Sequence, residues 1–214
     1  MKIEQFVTRL FGENIYVLYD PTSREAAVID PGMMEPEEVR AVDAFIEGEG
    51  LHLTAVLNTH LHVDHCIGDN YLARKYSAPI MASEADAPLG RNLDAQARMF
   101  HLPLGPVEAL DAYRPLRDGD TVTVGPVSLE VIAVPGHSPG GLALYDAADG
   151  VVFTGDSLFA GSIGRTDLAG GDHAALLDAV KRRLLTLPPE TRVLPGHGPS
   201  TTIARERATN PFLR

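Results

Sequence analysis

The chain has 214 residues, of which 44% are hydrophobic, and this suits one compact domain that buries most of its apolar surface. Its 29 acidic and 18 basic side chains give a net charge of −11, which would repel phosphate backbones and argues against a nucleic-acid partner. No apolar run approaches the roughly 18 to 20 residues of a membrane span, and Glu4 interrupts the first segment, so we expect an unexported protein without a membrane anchor. Cys66 is the only cysteine, which excludes an internal disulfide and favours the cytoplasm.

The first quarter of the chain predicts antiparallel strands followed by one helix. Residues 3–8, 14–19 and 25–29 mix β-branched, aromatic and polar side chains at near-alternating spacing and end in the turn sequence DPG at 30–32. From Glu35 to Glu47, an early proline, three glutamates and apolar residues on one helical face indicate an amphipathic helix. We expect this helix to cover the strands.

Four apolar runs each lead into a side chain that can bind a metal. They are LTAVLN before His60, VIAVPG before His137, VVFTG before Asp156 and RVLPG before His197. Short apolar runs are typical of strands buried on both faces, and a ligand just past each strand lies at the same edge of the sheet system. We therefore expect these four side chains to converge.

The second half of the chain repeats this mixture of strands and helices. Residues 121–134 alternate apolar and polar side chains around Gly125 and Pro126, as in a hairpin, and residues 172–187 predict a helix. Residues 84–118 contain several prolines and one short helical pattern at 94–102, so this insertion is expected to form a wall or lid of the pocket. The predicted fold class is α/β, in a single domain over residues 1–214.

The densest group of metal-capable side chains is THLHVDH at residues 59–65. On an extended segment His60 and His62 can point to the same side and share one ion, since neutral imidazole suits Zn²⁺, Fe²⁺ or Mn²⁺. A tight turn after them would bring Asp64 and His65 close by without entering the same coordination sphere, which predicts a second ion. The two oxygens of Asp156 can bridge two cations about 3.5 to 4 Å apart.

The spacing H-x-H-x-D-H at residues 60–65, followed in order by three further ligands, resembles the signature of the metallo-β-lactamase superfamily over nearly the whole chain. The resemblance implies a four-layered αββα sandwich. It also implies one metal held by His60, His62 and His137, a second held by Asp64, His65 and His197, and Asp156 between them. Two divalent ions are therefore expected, with zinc favoured and iron or manganese as alternatives.

Three stretches resemble the single-domain glyoxalase II-like hydrolases more closely, namely GDSLFAGSIGRTDL at 155–168, PGHGPSTTI at 195–203 and ERATNPFL at 206–213. The resemblance implies that a metal-bridging hydroxide attacks the carbonyl of a small-molecule thioester, such as an S-2-hydroxyacylglutathione, while a metal polarises its oxygen. Asp64 would orient the nucleophile as well as bind metal. Two features argue against glutathione itself, because only 17 residues follow His197 and no aromatic residue lies shortly after it.

The same ligands are compatible with oxidative chemistry. Related persulfide dioxygenases share the GRTD segment and use two histidines and a carboxylate around one Fe²⁺, which here would be His60, His137 and Asp156. Those enzymes typically have a cysteine two residues before the arginine, where this chain has Ile163, and this favours hydrolysis. A lactonase or β-lactamase function ranks third, because GRTD and the tail fit the glyoxalase-like group better.

A few other residues have a structural or an open interpretation. Arg165 could bind an anionic substrate or pair with a structural carboxylate. Asp30 could orient a ligand histidine or cap its turn. Cys66 is interpreted as a small buried hydrophobe. No role is assigned to His52, His101 and His173.

Overall fold

The computed structural model describes residues 1–110 and 112–214 of the chain. Its strands, numbered in chain order, are β1 (Lys2–Val7), β2 (Asn14–Tyr19), β3 (Glu25–Ile29), β4 (His52–Leu57), β5 (Ile80–Ser83), β6 (Arg114–Leu116), β7 (Thr121–Val124), β8 (Val127–Ala133), β9 (Leu142–Asp146), β10 (Val151–Gly155), β11 (Leu158–Phe159), β12 (Ser162–Ile163), β13 (Arg192–Pro195) and β14 (Thr201–Thr202). Its α-helices are α1 (Pro36–Gly48), α2 (Val63–Cys66), α3 (Asp69–Tyr76), α4 (Ala87–Gly90), α5 (Leu93–Met99), α6 (His173–Ala179) and α7 (Ile203–Thr209). Short 3-10 helices span Glu84–Asp86 and Pro211–Leu213.

Two sheets lie face to face at the centre of the described structure. The first has the strand order β1-β2-β3-β4-β5-β6 and the second β14-β13-β10-β9-β8-β7, while β11 and β12 form a separate hairpin. Buried apolar side chains from both sheets, including Leu57 and Leu129, fill the space between them. Helices α1, α3 and α5 pack on the outer face of the first sheet, and α6 and α7 pack on that of the second. The predicted αββα sandwich is confirmed.

Strand β2 illustrates why the inner strands contain so few polar residues. Its sequence NIYVLY is buried throughout, and successive side chains of a strand point to opposite faces. Ile15 and Val17 therefore pack toward the helices, while Tyr16 and Leu18 pack toward the second sheet. A strand covered on both faces needs apolar side chains at both sets of positions.

Most of the predicted elements agree with the structure. Strands β1, β2 and β3 pair in antiparallel fashion, and the hairpin of β7 and β8 turns at Gly125 as expected. Helix α1 begins at Pro36, where the carboxylate of Glu38 accepts a hydrogen bond from the Glu35 N–H at 3.0 Å. The helix predicted at 172–187 is shorter in the structure. Helix α6 ends at Ala179 and is followed by a π-helical turn, Val180–Leu184. The chain then turns before two prolines at 188–189, which disfavour a helix.

Residues 84–118 are more structured than their sequence predicts. The short helix predicted at 94–102 is α5, Leu93–Met99, and a further helix, α4, precedes it. Strand β6 was missed, since RPL is too short to show an alternating pattern, and it pairs in parallel with β5. Residue 111 of this insertion lies outside the described residues.

The strand directions bring the ends of the apolar runs to one edge. Strands β8 and β10 are both antiparallel to β9, and β13 is parallel to β10, so these three strands end at the same edge of the second sheet. Among the residues that the structure describes, every helix is too short or too polar to traverse a bilayer.

Candidate metal centre

The seven metal-capable side chains singled out in the sequence lie together in the structure. His60 and His62 follow β4, and α2 supplies Asp64 and His65 one turn later. The other three follow strands of the second sheet: His137 after β8, Asp156 after β10 and His197 after β13. Loops at the ends of both sheets therefore form one site.

The first group of donors consists of three buried imidazoles. The nitrogens of His60, His62 and His137 lie within 4.8 Å of one another. Nε2 of His137 is 3.2 Å from Nε2 of His60 and 2.9 Å from Nδ1 of His62. We call these residues the histidine trio.

The second group contains a carboxylate and opens further to solvent. Donor atoms of Asp64, His65 and His197 again lie within 4.8 Å of one another. Nε2 of His197 is 3.3 Å from Nε2 of His65 and 3.5 Å from Oδ2 of Asp64. We call these residues the mixed trio.

Asp156 lies between the two trios and reaches both. Its Oδ1 is 3.4 Å from His65 Nε2, and its Oδ2 is 3.5 Å from His137 Nε2 and 3.6 Å from His197 Nε2. Oδ1 is buried and has no hydrogen-bond partner among the described residues. A buried carboxylate oxygen without a partner is costly, and a cation between the trios would compensate it.

Two glycines allow the loops to approach this closely. A Cβ on Gly196 would lie 2.4 Å from Asp156 Oδ1 and 2.6 Å from His65 Cε1. Gly155 has φ +47°, a conformation that a side chain disfavours, and its Cβ would lie 2.1 Å from Thr59 Oγ1. A larger residue at either position would push the donors apart.

Hydrogen bonds behind the imidazoles fix which nitrogen faces the centre. His137 Nδ1 donates to the carbonyl oxygen of Arg165 at 2.7 Å, and His197 Nδ1 donates to that of Phe11 at 3.2 Å. Because a carbonyl only accepts, each Nδ1 carries a proton, and Nε2 is the nitrogen that faces inward and can bind a metal. Inward-facing nitrogens of neighbouring histidines therefore lie 2.9 to 3.3 Å apart, as close as the ligands of a shared cation, and the donors fit a metal.

Asp30 is the common anchor behind both trios. Its Oδ2 accepts a hydrogen bond from His65 Nδ1 at 3.1 Å and another from Thr59 Oγ1 at 2.6 Å. Since the Thr59 hydroxyl donates to Asp30, it accepts from His60 Nδ1, 3.1 Å away. A carboxylate oxygen of Asp30 also lies within 4.8 Å of ring nitrogens of His60 and His65, so Asp30 could itself bind a metal with them. Its carboxylate is already engaged, so we assign it an orienting role.

The electrostatics of the two trios differ in direction. Burial lowers the pKa of His60 well below its usual value and that of His62 to about 4, because the charged imidazolium is desolvated. Burial acts the same way on His65, but Asp156, Asp64 and Asp30 outweigh it and raise the pKa of His65. Burial raises the pKa of Asp64, but His65 and His197 outweigh it and hold that pKa well below its usual range.

Two polar residues that hold the site together were not identified from the sequence. Asp86 is fully buried and accepts hydrogen bonds from the Leu61 N–H (3.1 Å), the Ser138 hydroxyl (2.8 Å) and the Gly140 N–H (2.6 Å), so it joins the loops of His60 and His137. Asn14 donates to the carbonyls on both sides of His197, at positions 195 and 198. Neither residue belongs to a motif or a recognisable spacing.

The residues with open interpretations are also placed. The guanidinium of Arg165 pairs with Asp167 through two contacts of 2.7 Å, which is the structural alternative. Cys66 is buried, and its Sγ donates to the carbonyl of His62. The three histidines without a role, His52, His101 and His173, are exposed.

A four-layered αββα sandwich with a histidine and aspartate cluster at one edge defines a metallo-β-lactamase-like protein. Residues 8–197 match the family model of the Metallo-beta-lactamase superfamily, and the chain belongs to this superfamily. The clusters of the centre are suited to metal binding.

Several characterised or solved proteins resemble the chain over almost its full length. The chain is 35% identical to "Hydroxyacylglutathione hydrolase GloC" of Haemophilus influenzae, covering 100% of this chain and 98% of that protein. Its structure resembles the BLEG-1 B3 metallo-beta-lactamase (TM-score 0.88, 35% identity, 99% of each chain) and TTHA1623 in a di-iron-bound form (TM-score 0.86, 38% identity, 98% and 100% covered). It also resembles ETHE1 from Myxococcus xanthus (TM-score 0.81, 31% identity, 99% and 84% covered).

Proposed function

We propose that the protein is a binuclear metal-dependent hydrolase of a small-molecule thioester. The observation that carries this proposal is the pair of donor trios joined by Asp156, whose buried Oδ1 has no other partner among the described residues. In this proposal His60, His62 and His137 would hold one ion, Asp64, His65 and His197 would hold the other, and Asp156 would supply a carboxylate within reach of both trios.

Divalent ions bound there would polarise a carbonyl oxygen and lower the pKa of water toward about 7. The chain's own residues orient the reactants. Asp64 belongs to the mixed trio, and its side chain is partly exposed. Its carboxylate can therefore accept a hydrogen bond from the attacking water and align it. The oxygen of water joins the acyl carbon, the carbon–sulfur bond breaks, and the thiol leaves with a proton. A thiolate is a good leaving group, so a strong general acid is unnecessary.

The relatives support this class of reaction. A hydroxyacylglutathione hydrolase matches the chain from end to end at 35% identity, and a Bacillus subtilis protein called a probable metallo-hydrolase matches 88% of it at the same identity. A similar structure contains two irons. We propose zinc as the resident metal, with iron or manganese as alternatives, because imidazole and carboxylate accept all three.

A persulfide dioxygenase is the second candidate, because the GRTD segment at 164–167 resembles that of those enzymes. His60, His137 and Asp156 could hold a single Fe²⁺ and leave positions open for oxygen and substrate. Ile163, where the dioxygenases typically have cysteine, keeps this candidate below hydrolysis.

One purification separates these candidates. The protein is prepared without added metal, its bound metals are quantified, and the same sample is assayed for S-lactoylglutathione hydrolysis and for oxygen uptake with glutathione persulfide. We expect about two metal ions per chain and thioester cleavage without oxygen uptake. Oxygen uptake with one iron per chain and no thioester cleavage would reject the hydrolase in favour of the dioxygenase.

A further inference from the structure

An apolar cavity of about 520 Å³ opens beside the histidine trio. His62 forms part of its wall, helices α4 and α5 contribute residues such as Leu89, Ala95 and Met99, and the segment between β12 and α6 contributes Leu168. Met99 is more than half exposed, so the cavity is reached from solvent. A concave site of this size next to reactive groups can enclose an arm of a small ligand.

The side-chain amide of Gln96 and the amide nitrogen of Asn92, both in the cavity wall, already have hydrogen-bond partners. Among the described lining residues only His62 has an ionisable side chain. The side-chain oxygen of Gln96 accepts from the Val63 N–H at 3.0 Å, and its nitrogen donates to the carbonyls of Leu61 and Leu89. The amide nitrogen of Asn92 likewise donates to a carbonyl of α4, that of Pro88. The wall is therefore suited to an uncharged apolar group.

The one cation that the sequence suggested for an anionic substrate is neutralised. Arg165 lies next to the centre, because its carbonyl accepts from His137, but its guanidinium is held by both oxygens of Asp167. Arg165 and Asp167 are exposed and lie outside the cavity wall, so a thiol arm that placed free carboxylates inside the cavity would bury them against apolar groups without a cation. Burying an unpaired charge in this way is costly.

We infer that the cavity binds an uncharged aliphatic or aryl arm of the thioester substrate, in preference to an arm that carries carboxylates. This inference rests on the proposed function, since it assigns one arm of the same substrate. Each methylene fully buried in the cavity would raise kcat/KM by up to about fourfold. The apolar arm can be the acyl or the thiol side, and the two are separated by experiment.

The test uses zinc-loaded protein and two series of thioesters. The acyl side is varied in S-acetyl-, S-butanoyl-, S-hexanoyl- and S-octanoyl-N-acetylcysteamine, and the thiol side in S-ethyl and S-octyl thioacetate, with S-lactoylglutathione as the charged reference. We expect kcat/KM to rise by about tenfold or more along one series. Binding of the uncleavable thioether S-octyl-N-acetylcysteamine is measured by calorimetry, where apolar burial predicts a negative heat-capacity change.

A matched pair of variants locates the effect. Both alanines are exposed, but Ala95→Glu places a carboxylate in the cavity wall, whereas Ala208→Glu places the same group on α7, outside the cavity lining. Ala95→Glu should lower the octyl-to-short-chain ratio of kcat/KM by about tenfold and weaken the thioether. Ala208→Glu should leave both as in the parent protein, and bound metal should be equal in the two variants.

The outcomes separate this inference from the proposed function. Cleavage of thioesters without any chain-length dependence, or a ratio unchanged in Ala95→Glu, would overturn the inference and leave the hydrolase standing. Tight binding of the thioether that Ala95→Glu weakens, with no thioester cleaved, would retain the apolar site and reject the thioesterase.

Discussion

The two donor trios of the centre differ in burial and in charge. The histidine trio consists of imidazoles alone, and its members His60, His62 and His137 are 2%, 5% and 4% exposed. The mixed trio includes a carboxylate, and the side chain of His197 is 25% exposed. Burial favours neutral imidazole at His60 and His62 of the first trio, whereas neighbouring carboxylates favour imidazolium at His65 and His197 of the second.

Because their histidines differ in protonation, the two trios differ in how strongly protons compete with a bound cation. A metal ligand must be deprotonated, and the lowered pKa values of His60 and His62 leave these two imidazoles ready to bind a cation at neutral pH without releasing a proton. At the mixed trio a cation competes more strongly with protons, because the pKa of both His65 and His197 is raised. We therefore expect the histidine trio to hold its ion more firmly, and the mixed trio to be the more easily emptied position.

The largest effect is expected from a substitution that affects both trios. Asp156→Ala takes away the carboxylate that reaches both trios, so both ions and the activity should be lost, by more than the roughly 10–100-fold typical of changes behind the ligands. His60→Ala should empty the histidine trio with a similar loss of turnover. Both variants should retain the fold, since the ligands lie on loops beyond the apolar strands. Metal content, turnover and circular dichroism test this, and full turnover in either variant would reject the assigned centre.

A smaller change should affect one trio more than the other. Asp64→Asn keeps the size of the side chain but removes its charge and one acceptor. We expect the ion of the mixed trio and the turnover to fall together, while the histidine trio keeps its ion and the metal content approaches one per chain. If both metal content and turnover stay unchanged, Asp64 has no part in the mechanism.

A further substitution acts on the anchor behind the trios. Asp30 has φ +50°, a conformation that asparagine also tolerates, so Asp30→Asn changes the hydrogen bonding with little backbone strain. Metal affinity should fall roughly 10–100-fold, more at the mixed trio, because His65 contacts Asp30 directly and His60 only through Thr59. Asp178→Asn, which removes a charge from an exposed ion pair on α6, is the control. Equal affinities in the two variants would contradict the orienting role.

The mildest test is a change of pH. Below the pKa of a ligand, protons compete with the metal, so affinity falls as pH falls. The raised pKa of His65 and His197 predicts that the mixed trio weakens first on acidification, by about tenfold per pH unit for each proton. The pKa of about 4 for His62 predicts that the histidine trio holds its ion to lower pH. Metal retained after dialysis at stepwise lower pH measures this, and release of both ions at one pH would remove the distinction.

Some of these features could be predicted from local patterns and others could not. The seven donors were found because each follows an apolar run or lies in one dense motif, and both signals depend on neighbours in sequence. Strand β6 could not be predicted, because three residues are too few to show an alternating pattern of apolar and polar side chains. The exact end of α6 could not be predicted either, because the prolines that stop a helix lie several residues beyond it. The preference of Arg165 for Asp167 could not be decided, since both alternatives use the same guanidinium chemistry.

Patterns in the amino-acid sequence determined the ligand types, their order and an α/β fold with ligands at the strand ends, because burial on two faces requires apolar runs and loops then follow at their ends. The αββα arrangement of the layers was implied by the resemblance to the metallo-β-lactamase superfamily. Only the tertiary structure decided which nitrogen of each histidine faces inward, which carboxylate orients rather than binds, and that the adjoining cavity is apolar. Those features depend on contacts between distant segments, such as the hydrogen bond between Asn14 and the carbonyl of Pro195, 181 positions later in the chain. No local pattern specifies such a pair, because it forms only when both sheets have packed.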